Sequence, residues 1–177
     1  MLTYDALNRL AQGAGFTKTA PLSVRKLSLL DEVRQMCESC NAYGTRWSCP
    51  PGCGTLPECR ERVAGYTQGL LVQTVGQLED ALDGEGMMAA EATHKQSFEM
   101  LHRQLLPLYP RLLALGTGGC RLCEHCTYPD APCRFPERMT PSMEAYGILV
   151  LQACKDSGLP YYYGPGTISY TGCFLLE

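Results

Sequence analysis

Four cysteines stand within fourteen consecutive residues, Cys120, Cys123, Cys126 and Cys133, in the order Cys-x2-Cys-x2-Cys-x6-Cys. Three thiolates within seven residues can wrap three corners of an iron–sulfur cubane while a more distant fourth closes it. Bacterial ferredoxins share the opening triplet but continue with three residues and Cys-Pro. Here six residues intervene and Arg134 follows Cys133. Zinc is the alternative occupant, but it takes paired knuckles from separate turns, and three thiols at two-residue gaps crowd one tetrahedral ion. His125, inside the triplet, reads as a solvent-facing spacer beside four cysteines.

A second group lies upstream: Cys37 and Cys40, then Cys49, then Cys53 and Cys59. Cys37 and Cys40 form a natural pair and Cys49 adds a third thiol, which leaves Cys53 and Cys59 competing for a fourth position. Nine grouped cysteines are one more than two four-thiol centres need, so one of that pair is spare. Cys154 and Cys173 stand alone among apolar neighbours and read as small buried hydrophobes.

Eleven cysteines in 177 residues acquire this meaning from compartment. The start, Met-Leu-Thr-Tyr-Asp-Ala-Leu-Asn-Arg-Leu, has no basic segment followed by an apolar one, and no apolar run approaches the ~20 residues that span a bilayer. The expectation is a cytoplasmic protein with no membrane association. Reducing pools keep thiols from stable disulfides there, so metal binding or redox chemistry is the better use for them. A net charge of −3 gives no broad basic field, which disfavours nucleic acid as a partner. Hydrophobic residues at 45 % and charged residues at 19 % are globular values, and the length can bury a core without a metal to staple it.

The remaining chain reads as alternating helices and strands. A helix is expected over 3–12, an extended stretch over 16–24 with Pro21 marking an edge, a helix from a Ser28 cap to about Met36, and a loop over 37–61. A buried strand follows over 69–75, the longest helix over 87–106, a short strand over 112–115, a helix over 142–157 opened by Pro141, and a strand over 167–176. This predicts a single α/β domain over 1–177, with a small mixed sheet, flanking helices and two cysteine-rich metal-binding loops. His94 and His102 lack a His-Glu-x-x-His arrangement and read as core or surface residues. No Gly-x-Gly-x-x-Gly links a strand to a helix, so neither a flavin nor a nicotinamide signature is present.

The pattern Cys37-x2-Cys40-x2-Tyr43-Gly44-x2-Trp47-Ser48-Cys49-Pro50-Pro51 recurs with Cys120-Arg121-Leu122-Cys123, with Pro132-Cys133-Arg134-Phe135-Pro136 and with Pro141-Ser142-Met143-Glu144-Ala145-Tyr146-Gly147-Ile148. In these motifs the chain resembles a family of predicted metal-binding proteins found mostly in anaerobic bacteria and archaea. The resemblance implies a metal-binding role. It also implies Cys59 as the fourth ligand of the first group, because similar sequences carry a cysteine at that place and often a small or apolar residue at the place of Cys53.

The expected site is therefore two 4Fe-4S clusters, one on Cys37, Cys40, Cys49 and Cys59, the other on Cys120, Cys123, Cys126 and Cys133. Trp47 and Tyr43 would shield a cluster from water, and Arg46, Arg121 and Arg134 would offset thiolate charge. Three functions follow: electron transfer with a redox partner protein, an enzyme with an open iron on a three-cysteine cluster, or a zinc-bound structural or interaction module.

Overall fold

The computed structural model describes residues 2–177. Helix α1 spans Tyr4–Gly13, capped by Thr3, and leads into strand β1, Lys18–Ser23. A short helix α2 over Asp31–Gln35 tightens into a 3-10 turn over Met36–Ser39. Helix α3, Leu56–Ala64, precedes strand β2, Gln68–Gln77. Helix α4, Gly84–Leu105, is the longest, and strand β3 follows over Leu112–Leu115. After the second cysteine loop come a 3-10 turn at Glu144–Tyr146, helix α5 over Val150–Asp156 and strand β4 over Thr167–Leu176.

The sheet runs β1-β2-β4-β3, so β4, the last strand in sequence, lies inside between two earlier ones. All three pairings are antiparallel, which narrows the expected mixed sheet to an antiparallel one. Pro21 sits opposite Leu70 in the edge strand, where a missing N–H is tolerated.

Both faces of the sheet are covered, as the period of two along each strand requires. Leu70, Val72, Phe174 and Leu176 meet α1 and α4 through Leu7, Ala11, Phe98 and Leu101. Leu71, Cys173 and Leu175 point the other way, toward Leu56, Cys59 and Val63 of α3 and toward Ala153 and Cys154 of α5. Phe98 stacks on Phe174 with centroids 4.3 Å apart, which locks α4 onto the middle of the sheet. Cys154 and Cys173 are fully buried, as their apolar neighbours suggest.

Three local expectations give way to tertiary structure. Ser28 caps nothing: Leu29 bridges to Ile148 and the Leu30 amide donates to the Gly147 carbonyl at 2.7 Å, so the helix starts only at Asp31. The continuous helix over 142–157 breaks for the same reason. Gly147 adopts φ +74°, and a Cβ there would lie 2.8 Å from the Leu30 carbonyl oxygen, so this close approach requires glycine. The helix α3 begins inside the expected loop over 37–61 and runs past its end to Ala64. Its start is a capping box in which Thr55 and Glu58 bond each other's backbone amides, with Pro57 in the first turn. Among the described residues, no helix is long and apolar enough to cross a membrane.

Candidate metal centre

The turn after α2 delivers Cys37, half-buried, and Cys40, exposed, with the Cys40 amide donating to the Cys37 carbonyl at 3.0 Å. The chain returns at Cys49, which is buried, and is held there by the Gly44 amide on the Pro50 carbonyl at 2.8 Å and the Cys53 amide on the Cys49 carbonyl at 3.1 Å. Burial pushes the Cys37 thiol up; Arg34 opposes this, while Cys40 and Cys49 add to it. Burial likewise raises Cys49, against Ser48 and Arg46, with Cys40 and Cys120 adding to the rise. Cys37 and Cys49 thus lie within electrostatic reach of each other and of Cys40.

Cys53 and Cys59 are both buried, with the Cys53 Sγ 3.8 Å from the Ala145 carbonyl and the Cys59 Sγ 3.9 Å from the Cys53 carbonyl. The Cys59 pKa is lowered, chiefly by its Cys53 neighbour and then, against the cost of burial, by Arg34 and Arg62. The Arg34 Nη1 lies 3.6 Å from the Cys59 Sγ and also donates to the Ala145 carbonyl, while its Nη2 donates to the Gly54 carbonyl. Arg62 donates to the Cys53 carbonyl at 2.7 Å. Two guanidinium groups thus offset negative charge at the buried Cys59.

The second loop is closed at its base. Gly116, leaving β3, receives the Met143 amide on its carbonyl at 3.1 Å and gives its own amide to the Pro141 carbonyl at 2.8 Å. Between these ends, Cys120, Cys123, Cys126 and Cys133 are all half-buried and line one cavity together with Trp47, Phe135 and Met139. Within the loop, the Thr127 hydroxyl donates to the Pro132 carbonyl at 2.8 Å and Arg134 to the His125 carbonyl at 2.9 Å. Among the described residues, no three His, Cys, Asp or Glu side chains close around a single-ion position.

The two loops then clasp each other. Arg46 Nη1 donates to the Cys120 carbonyl at 2.8 Å, and the Cys120 amide donates to the Ser48 hydroxyl at 3.1 Å. The Trp47 backbone amide points at the Cys126 Sγ at 3.5 Å, while its indole donates to the Ala131 carbonyl at 3.0 Å and packs edge-on against Tyr128 at 4.9 Å. A Cβ on Gly119 would be 3.6 Å from the Cys49 Sγ. Cys49 of the first set and Cys120 of the second therefore face each other across this junction.

A family model described as "Predicted metal-binding protein (DUF2284)" matches residues 20–176. The chain belongs to that family. Both cysteine loops and every strand but the start of β1 fall inside the match. The chain matches no curated protein and no solved structure.

Tyr43 is exposed, whereas Trp47 is half-buried at the junction. Arg46 serves the loop junction, Arg134 braces its own loop, and Arg121 lies 3.5 Å from Glu91 of α4. Spacing along the chain did not single out His94, His102 and Arg138, which surround a cavity next to Cys120.

Proposed function

We propose that the two loops hold two 4Fe-4S clusters and that the protein passes single electrons between a donor and a redox partner protein. The observation that carries this reading is the arrangement of Cys120, Cys123, Cys126 and Cys133 around one cavity, with a backbone amide directed at Cys126. Four thiols around a shared space, three of them from seven residues, are the donor set an iron–sulfur cubane uses. Bound there, such a cluster supplies one-electron oxidation and reduction. For the first loop the ligands are Cys37, Cys40, Cys49 and Cys59, and the Arg34 guanidinium 3.6 Å from the Cys59 Sγ offsets thiolate charge there.

The chain's own residues then have defined tasks. Trp47, Phe135 and Met139 exclude water from the second thiol set, which moves a potential and slows attack by oxidants. The Trp47 amide donates to a ligand sulfur and so favours the more negative, reduced state. Cys49 beside Cys120 gives a short path between the two sets, and exposed Cys40 offers an edge toward a partner.

The experiment is iron, acid-labile sulfide and zinc per chain on protein purified without oxygen. Roughly eight iron and eight sulfide are expected. About four would assign one loop only, and zinc without sulfide would end the redox reading. Cys59→Ser is expected to halve the iron while Cys53→Ser leaves it unchanged; retention in both variants would mean a three-cysteine cluster with an open iron, the geometry of an enzyme.

A further inference from the structure

Beside the second cysteine loop, α4 faces the exit of β3 across a cavity of about 570 Å³, counting its open mouth. His94, midway along α4, is fully buried at its wall. Its Nδ1 is engaged with the Thr74 hydroxyl at 3.0 Å, and Phe16, Phe98 and Tyr170 pack around the ring. Its Nε2 has no partner. Arg138, arriving from the other end of the loop, pairs through Nη2 with Glu99 and lies over the Phe135 ring, while its buried Nε has no partner either.

Among the described residues, three buried side-chain polar atoms lack a hydrogen-bond partner, and two of them belong to residues of this one cavity. A buried polar atom left unpaired is destabilising, so two among the residues of one cavity point to a ligand.

The charges narrow its chemistry. Lys95, Arg121 and Arg138 line the cavity against a single lining carboxylate, Glu99. Glu99 is also bound by Arg103 at 2.6 Å, and Glu91 serves both Lys95 at 2.7 Å and Arg121 at 3.5 Å. Carboxylates are thus shared and cations are in surplus. Burial, with Lys95 nearby, keeps the His94 imidazole neutral, its pKa down to about 4, so with Nδ1 accepting from the Thr74 hydroxyl the Nε2–H offers an uncharged donor rather than another cation. A guanidinium edge suits a planar carboxylate, and Phe98 with Leu122 supplies an apolar wall.

We infer that this cavity binds a small organic carboxylate, held by the Arg138 edge and Lys95 or Arg121 at its anionic end and hydrogen-bonded by His94 at the wall. Cys120 and Leu122 line both this cavity and the thiol-lined one, so the bound acid would lie across that shared wall from the metal centre. The inference does not depend on which metal the thiols hold.

Equilibrium dialysis of the purified, metal-loaded protein against radiolabelled pyruvate, acetate and methylamine tests it, with metal content measured on the same samples. Pyruvate or acetate is expected to bind with a Kd of about 1 mM or tighter and methylamine not to bind. Arg138→Gln, at a partly exposed position, is expected to weaken binding about tenfold, which is ~1.4 kcal/mol. Glu99→Gln is expected to tighten it by freeing Arg138 Nη2. No carboxylate retention, equal retention of methylamine, or unchanged binding in Arg138→Gln with metal content intact would overturn this inference and leave the metal assignment untouched.

Discussion

Trp47 is the residue on which the clasp between the two cysteine loops turns, and its replacement has a calculable effect. Its edge-on contact with Tyr128 at 4.9 Å is of a kind that contributes about 0.5–1.5 kcal/mol beyond area. Its indole bond to the Ala131 carbonyl is solvent-exposed, so about 0.5 kcal/mol is appropriate. Trp47→Ala thus removes about 1–2 kcal/mol from the closure of residues 126–133, and their opening equilibrium rises roughly 5- to 30-fold. Trp47→Phe keeps the ring contact and loses only the N–H, so the rise is about twofold. Amide hydrogen exchange of peptides covering 120–136, compared with peptides of α1 and β2, reads this directly. Unchanged exchange in Trp47→Ala, or a rise spread evenly over the sheet, would refute the claim that Trp47 closes the second loop locally.

Further outcomes follow from single contacts. Gly147→Ala combines a left-handed backbone with a Cβ 2.8 Å from the Leu30 carbonyl oxygen and 2.9 Å from Leu56 Cδ1, and should cost about 2–4 kcal/mol in urea unfolding. Thr55→Ala loses the capping box of α3, with an expected cost of about 1 kcal/mol and a fall in Tm of about 2–4 °C by calorimetry. His94 binds its proton less well folded, near 4, than unfolded, near ~6.5. The unfolded state therefore takes up the extra proton between those values, and stability falls as pH drops through that window, by about 3 kcal/mol at its lower end. Denaturant titrations of the protein and of His94→Gln across this range should show the slope in the first and a flatter one in the second.

The parts of the fold carried by local pattern were legible. β3 and β4 run over the stretches their alternation and apolar runs predict, and α4 starts three residues before the expected 87 because Asp83 caps it. The parts decided by distant contacts were not. Nothing near Ser28 announces that Leu29 and Leu30 are needed to pair with 147–148, and nothing near Glu144 announces that Gly147 must admit that backbone. α3 is a different case: Thr55, Pro57 and Glu58 spell a helix start, but cysteine density on both sides made the segment read as loop. The site divides in the same way. Spacing alone grouped the thiols of the second loop, while the meeting of Cys49 with Cys120, and of His94 with Arg138, depends on how α4, β3 and the two loops stack.

The interior position of β4 bears on how the protein is made. β3 is paired with β4 alone, and β2 meets β3 only through it, so the sheet cannot close until residues 167–176 have been synthesised. Some forty residues separate Cys133 from the end of β4, roughly 2–9 s of translation at ~5–20 residues per second. Through that interval the thiols of the first loop are outside the ribosome, and those of the second are emerging, without the framework that later orders them. Metal supply and protection from oxidants during those seconds would then govern how much of the newborn chain matures.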